Sequence, residues 1–220
     1  MDYLELWTLC SANGIVLSKE QIETIKRYVN ELLYWNEKVN LISRKDYEQI
    51  LQKHILHSLA LLKYYDIPHK ARVLDVGTGA GLPGIPIKIA RPDIFITLID
   101  SINKKMKIVD MFAKHTGERN IDVYTTRAEE LYKIKGMDKH FDLVVTRAVA
   151  SISNIIAWVK KVRKPNADIV LYKGGNIEEE IEQAKIENND MTINVIDIDF
   201  IGIEDFKKNE KKLVICKFKK

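Results

Sequence analysis

Cysteine is scarce in this chain, and long apolar runs are absent. The two cysteines, Cys10 and Cys216, stand near opposite ends of the 220 residues, so we expect neither a disulfide framework nor an oxidising compartment. No apolar run approaches the roughly 20 residues that a membrane-spanning helix needs. The first seven residues contain two acids and no basic flank of the kind that opens a secretory signal. These features favour a cytoplasmic protein with no attachment to a membrane.

The net charge by itself says little about the function or the partners of the protein. With 35 basic and 31 acidic residues the chain carries +4, which is compatible with nucleic acid binding but does not identify it. Basic charge is concentrated in residues 207–220, where Glu210 is the one acid. Two interpretations stay open: lysines that protect an edge strand, or a face that contacts phosphate. The seven lysines of this segment are Lys207, Lys208, Lys211, Lys212, Lys217, Lys219 and Lys220.

A glycine-rich stretch after a short apolar run is the most informative part of the sequence. Val73, Leu74 and Val76 predict a strand that is buried on both faces. Glycine reaches positive φ cheaply and lets a ligand approach the backbone, and the start of a following helix offers unpaired N–H groups. A strand, a glycine turn and a helix therefore predict a nucleotide pocket. The glycines are Gly77, Gly79, Gly81 and Gly84.

Two details indicate which nucleotide would bind. The dinucleotide fingerprint G-x-G-x-x-G requires a third glycine where Leu82 stands. Asp75, two residues before the first glycine, would repel a pyrophosphate but suits a cationic ligand. S-adenosylmethionine carries a sulfonium and an amino group. We therefore predict that Asp75 and the glycines Gly77, Gly79 and Gly81 bind S-adenosylmethionine, with a dinucleotide enzyme as the alternative.

The pattern of elements predicts the fold. Residues 1–66 have a helical pattern throughout. Ser18 and Gln21 form a predicted capping box at the start of one of these helices. From residue 72 onward, short apolar strands alternate with helices, which implies a parallel, doubly wound sheet. The runs 191–200 and 211–218 predict an antiparallel pair at the end of the sheet. We therefore expect an α/β protein with a seven-stranded, mostly parallel sheet of the Rossmann-like class I methyltransferase type, in which residues 67–220 form the catalytic domain and residues 1–66 form a helical extension. The five parallel strands are predicted at 72–77, 94–100, 121–126, 141–146 and 168–173.

Polar side chains follow the predicted strands where a ligand should bind, because ligands of open α/β sheets lie beyond the carboxyl ends of the strands. Asp100 ends the second strand, and a carboxylate there can accept hydrogen bonds from both ribose hydroxyls. Ala128 and Glu129 follow the third strand and would lie beside the adenine ring. An ordinary acid at a helix start is the other interpretation of Glu129.

Three cations, Arg127, Arg147 and Lys173, end the third, fourth and fifth predicted strands. Together they would repel a sulfonium unless an anion shares the site. A phosphate-bearing substrate supplies that anion, and arginine forks bind phosphate with two hydrogen bonds. We assign the three as catalytic residues that orient the substrate, and surface ion pairing is the alternative.

The predicted acceptor atom follows by elimination. Exocyclic amines are usually methylated beside an Asn/Asp-Pro-Pro-aromatic loop, but residues 146–150 contain no proline. Neither cysteine ends a strand, which disfavours attack on carbon 5 of a pyrimidine, and the cationic strand ends do not predict a metal site. A nucleophile that is unprotonated at neutral pH remains, such as a guanine ring nitrogen.

With these residues in view, the sequence resembles the RsmG (GidB) family of small-subunit ribosomal RNA guanine-N7 methyltransferases. Residues 75–86 are the most specific part of the likeness, which also includes Trp35-Asn36, Asn40-Leu41 and 54–58. The resemblance implies S-adenosylmethionine as donor and a guanine of 16S rRNA in the small ribosomal subunit as acceptor, and we expect a monomer. It implies cofactor contacts at Gly77, Leu82, Ala128, Glu129 and Arg147, with Arg127 and Lys173 near the substrate or cofactor.

Two departures from the family pattern concern His57 and the end of the chain. The family often has Asp where His57 stands, so we expect His57 to pack a helix. An arginine of the family before the last strand is Lys211 or Lys212 here, which keeps the charge but loses the fork. A methyltransferase acting on tRNA, protein or a small molecule remains an alternative, as does a non-catalytic RNA binder.

Overall fold

The computed structural model describes residues 1–218 and contains a seven-stranded sheet. The strands are β1 (Arg72–Val76), β2 (Phe95–Asp100), β3 (Ile121–Thr125), β4 (Phe141–Arg147), β5 (Arg163–Gly174), β6 (Met191–Asp197) and β7 (Lys211–Phe218). Their order in the sheet is β3-β2-β1-β4-β5-β7-β6. The first five strands are parallel, and β7 runs antiparallel to both β5 and β6. This arrangement confirms the expected doubly wound sheet of the class I type.

Helices precede the sheet and connect its strands. The predicted capping box is present, because the side chain of Ser18 accepts from the Gln21 N–H while that of Gln21 accepts from the Ser18 N–H. The α-helices are α1 (Tyr3–Ala12), α2 (Lys19–Asn36), α3 (His57–Leu59), α4 (Leu61–Tyr64), α5 (Gly84–Ala90), α6 (Asn103–His115), α7 (Ile152–Val159), α8 (Glu178–Glu187) and α9 (Asp205–Lys208). Arg44–Gln49 and Ala128–Lys133 are 3₁₀ helices, and Leu51–Leu56 is a π-helical turn.

Some boundaries differ from those predicted. Strand β5 begins at Arg163 rather than at residue 168, because Arg163 already pairs with Phe141 ahead of an irregularity in the register. The short helix α9 breaks the segment between β6 and β7, where no helical pattern was expected. Strand β7 lies between β5 and β6, so its lysines do not protect an edge strand, and that interpretation is wrong for β7. Lys219 and Lys220 lie outside the described residues.

The helices of residues 1–66 pack on the same face of the sheet as α5 and α6. Ile25 of α2 and Leu59 of α3 are fully buried in one hydrophobic cluster with Leu98 of β2 and Val109 of α6. Helices α7 and α8 cover the other face over a second cluster. Because the helical segment and the sheet share one core, a domain boundary after residue 66 remains a prediction. No helix within residues 1–218 is both long enough and apolar enough to cross a membrane.

Candidate active site

The glycine loop after β1 lies at the carboxyl end of the sheet and bends through left-handed conformations. Gly79 has φ of +59°, and an added Cβ would meet nothing closer than a backbone oxygen 3.9 Å away. Gly84 begins α5 so close to the sheet that a Cβ would lie 2.4 Å from Leu98 and 2.7 Å from Asp75. Glycine is therefore required at Gly79 by backbone conformation and at Gly84 by close packing.

The carboxylate of Asp75 lies beneath this loop and is fully buried. Its Oδ2 accepts from the Thr78 hydroxyl at 2.6 Å and from the Gly84 N–H at 2.9 Å, whereas Oδ1 has no hydrogen-bond partner within residues 1–218. The side chain therefore anchors the loop and does not line the cavity above it, and the contact between Asp75 and a cationic ligand stays a prediction. Gly81 also lies off the cavity, against Ile85.

A cavity of about 490 Å³ opens above the loop, at the ends of β1, β2, β3 and β4. Its size suits a nucleoside-sized ligand. Most of the predicted site residues meet there, although sequence distances between them reach 70 residues. The predicted residues that line it are Gly77, Gly79, Leu82, Asp100, Arg127, Ala128, Glu129 and Arg147.

Asp100 is held in place by backbone N–H groups on two sides. Its Oδ2 accepts from Gly79 at 3.1 Å and its Oδ1 accepts from Ile102 at 3.0 Å. The side chain therefore lines the cavity in a fixed orientation, and each oxygen keeps a further lone pair that a ribose hydroxyl can use. The sequence predicts a residue that binds ribose at this position.

Arg147 is the most constrained of the predicted cations. Its Nη2 donates to Nδ1 of His54 at 2.9 Å, and its Nη1 donates to the backbone oxygen of Lys53 at 3.3 Å. The other ring nitrogen of His54 lies 3.2 Å from Asp46 Oδ2. Burial lowers the pKa of His54 to about 4, so its ring is neutral and Nδ1 can accept while Nε2–H donates to Asp46. Asp46, His54 and Arg147 thus form a connected chain of hydrogen bonds.

The three predicted cations do not share one rim. The side chain of Arg127 is 71% exposed at the mouth of the first cavity, 3.7 Å from Glu129. Lys173 lies outside that cavity, where its Nζ bonds to Glu180 at 2.6 Å and to the Ala150 oxygen at 2.8 Å. Lys173 instead lines a second cavity, which also includes Arg147. The expectation of one cationic rim is corrected to two adjacent cavities that meet at Arg147.

Sequence reasoning gave no role to several residues that line the first cavity. Leu41 and Ile42 reach it because the buried amide of Asn36 accepts from both of their N–H groups, at 2.6 and 2.8 Å. Lys105 and Trp158 line it from α6 and α7. Asn36 and Leu41 belong to the residues that the sequence shares with the family. That likeness was the one signal for this part of the cavity, and it did not indicate what the two residues do.

The sheet order, the glycine loop and the acid at the end of β2 together define a Rossmann-like S-adenosylmethionine-dependent methyltransferase. A solved structure of a SAM dependent methyltransferase from Aquifex aeolicus shares the fold, with a TM-score of 0.53 at 17% identity over 73% of this chain and 88% of that chain. S-adenosylmethionine is the cofactor. The first cavity fits it, because Asp100 offers a carboxylate in a fixed orientation and Leu82 stands where a dinucleotide site would have its third glycine.

The particular family follows from closer relatives. The model of the family GidB, rRNA small subunit methyltransferase G, matches residues 21–209. A Ribosomal RNA small subunit methyltransferase G from Chlorobium phaeobacteroides is 41% identical over 180 residues, covering 82% of this chain and 79% of that protein. One of the same name from Chlorobaculum tepidum is 34% identical over 212 residues, covering 96% and 95%. The chain belongs to the GidB family, as the resemblance indicated.

We expect Asp75 to make stability depend on pH. Burial raises the pKa of its carboxyl to about 7 from an ordinary value of 3.8, so between these values the folded state binds a proton that the unfolded state does not. The free energy of unfolding should therefore fall as pH rises from about 4 to 7. Thermal unfolding of Asp75→Asn across this range should lose that slope, and Asp138→Asn, at an exposed acid, should keep it. An equal slope in both variants would contradict the assignment.

Asp100→Asn should weaken binding of the demethylated donor, S-adenosylhomocysteine, by about tenfold or more. A hydrogen bond to a charged group contributes roughly 1.5–3 kcal/mol, and the amide supplies one acceptor oxygen instead of two. Isothermal calorimetry measures the affinity, with Asp122→Asn on the outer strand β3 as the matched control. Unchanged affinity in Asp100→Asn would show that this carboxylate does not contact the donor.

Proposed function

We propose that this protein transfers a methyl group from S-adenosylmethionine to N7 of a guanine in 16S rRNA of the small ribosomal subunit, acting as a cytoplasmic monomer. The observation that carries the proposal is the match, along nearly the whole chain, to relatives named for methylation of small-subunit rRNA. The site supports it, because a donor cavity adjoins a second cavity that also has cationic walls.

Methylation at N7 agrees with the groups that the cavities offer. Guanine N7 has a free lone pair at neutral pH, so its transfer reaction needs no general base. His54 is neutral, but its Nδ1 is occupied by Arg147, and Asp75 lies beneath the loop. When bound, S-adenosylmethionine supplies an electrophilic methyl carbon. The chain then contributes mainly by holding N7 in line with that carbon, which can supply roughly 7–11 kcal/mol at best.

Methyl transfer from radiolabelled donor tests the substrate directly. Purified small subunits, naked 16S rRNA, tRNA and large subunits are offered separately, and the modified base is mapped by chemical cleavage at 7-methylguanine. We expect label in small-subunit RNA, at one guanine. Label that enters tRNA or ribosomal protein instead would overturn the proposed substrate, and label at another atom of the base would overturn the proposed chemistry.

His54 should act as a positioning residue for Arg147. His54→Ala removes the acceptor for Nη2, and we expect kcat/KM for methyl transfer to fall about tenfold or more, because small misplacements at a reacting centre are costly. His54→Asn places an amide oxygen near the lost Nδ1 and should recover part of the rate. Arg147→Ala should lose at least as much as His54→Ala.

A purely structural role for His54 would lower the activity of both His54 variants equally, in step with their melting temperatures. The control is His69→Ala, at an exposed histidine that pairs with Asp93 and lines neither cavity.

A further inference from the structure

The loop that follows β4, residues 148–151, forms part of the wall between the two cavities; we call it the β4 loop. Ala148 lines both cavities, and Val149 lines the first of them, which is the donor cavity. Ala148 has φ of +57°, a left-handed conformation that a residue with a Cβ keeps only when its surroundings hold it there. The shape of this wall therefore depends on the contacts that fix the β4 loop.

Val149 packs the β4 loop against the glycine loop. A Cβ added at Gly77 would lie 2.4 Å from Cγ2 of Val149, so the valine side chain rests directly on the backbone of Gly77. The N–H groups of Val149 and Ala150 donate no hydrogen bond to another backbone group within residues 1–218. Main-chain pairing therefore does not hold this part of the loop, and side chains from other elements do so instead.

Two side chains, one from β5 and one from α8, fix the rest of the β4 loop. Lys173 at the end of β5 donates from Nζ to the Ala150 oxygen at 2.8 Å. Oε1 of Glu180 on α8 accepts from that same Nζ at 2.6 Å. It also accepts from the N–H of Ile152, the first residue of α7, at 2.5 Å. One carboxylate oxygen thus connects the end of β5, the β4 loop and the start of α7.

The ion pair of Lys173 with Glu180 is shielded from solvent, because the two side chains are only 16% and 25% exposed. Glu182 on the same helix also pairs with a lysine, Lys185, but these side chains are 67% and 52% exposed. Removing one partner of an exposed pair changes little, whereas removing one partner of a shielded pair leaves a poorly solvated charge without its counter-charge. Glu180 is therefore the acid of α8 whose loss should reach the β4 loop.

Glu180 lines neither cavity, so its influence on the site is indirect. We infer that Glu180 is a positioning residue for methyl transfer: it holds Lys173 on Ala150 and fixes the start of α7, and through these contacts it keeps the β4 loop in place beside the donor. Lys173 then acts through the loop that it holds. The inference concerns the donor side of the site, so it does not depend on which acceptor the protein uses.

Donor affinity is the first test. In Glu180→Ala the Lys173 ammonium and the Ile152 N–H both lose their acceptor. We expect the affinity for S-adenosylhomocysteine to fall about threefold or more, because a loop that must be ordered on binding costs affinity. Isothermal calorimetry measures it well below the melting temperature of each variant. Glu180→Gln keeps an oxygen for Ile152 and should lose less. The matched control, Glu182→Ala, should bind as the unmodified chain does.

A merely structural role for Glu180 gives a different result. Glu180→Ala would then melt at a lower temperature but bind S-adenosylhomocysteine normally while folded, and that outcome would overturn the inference. Equal losses of affinity in Glu180→Ala and Glu182→Ala would also overturn it, since they would show that the loss of any acid from α8 has the same effect.

The second test asks whether Glu180 acts through Lys173. Glu180→Gln and Lys173→Met are combined in a double-mutant cycle, in which S-adenosylhomocysteine affinity and kcat/KM for methyl transfer are measured. Lys173→Met alone should lower kcat/KM about tenfold or more, because small misplacements at a reacting centre are costly. Glu180→Gln should have no further effect in that background, because the charge it pairs with is already gone. Losses that add across the cycle would contradict a connection through Lys173.

The donor measurement also separates this inference from the proposed function, on which only the methyl-transfer measurement rests. If the chain leaves small-subunit RNA unlabelled, the proposed function fails, and the affinity cycle alone decides the role of Glu180. If small-subunit RNA is labelled and Glu180→Ala binds S-adenosylhomocysteine normally, the proposed function stands and the inferred role is wrong.

Discussion

One buried oxygen, Oδ2 of Asp75, fixes the part of the molecule on which the site depends. It accepts from Thr78 within the glycine loop and from Gly84 at the start of α5, so a single acceptor anchors both sides of the turn. The close approach requires glycine at position 84, where a Cβ would collide with this same oxygen. The loop is therefore shaped before any donor arrives, and less conformational entropy is lost when one binds.

The helices of residues 1–66 contribute to the site through three separate polar contacts. The hydroxyl of Tyr28 donates to the Ala80 oxygen in the glycine loop at 2.9 Å. The Asn36 amide sets the turn that brings Leu41 and Ile42 to the donor cavity, and His54 accepts from Arg147. Each contact reaches a different wall of the two cavities. The helical segment is therefore a structural part of the candidate active site as well as a cover for the sheet.

The sequence predicted the features that depend on local patterns. Apolar strands, the glycine turn, the capping box and the acid at the end of β2 each follow from residues within a few positions of one another, and the structure confirms these elements. Prediction failed where a side chain contacts a residue distant in sequence, and where the direction of a side chain decides what it contacts. A strand residue points to one face or the other, and nothing local showed that Asp75 points beneath the loop. The ion pair of Lys173 with Glu180 and the contact of Arg147 with His54, 93 residues away, needed the fold.

The electrostatic problem of the site is that a cationic donor and an anionic acceptor must lie side by side. A carboxylate paired directly with Arg147 would cancel the positive charge of its guanidinium. The partner of Arg147 is neutral instead, because burial lowers the pKa of His54 to about 4. The other ring nitrogen of His54 donates to Asp46. The guanidinium is thus oriented without being neutralised, and it lines both cavities. The neutral relay therefore leaves one oriented and charged guanidinium in the wall that the two cavities share.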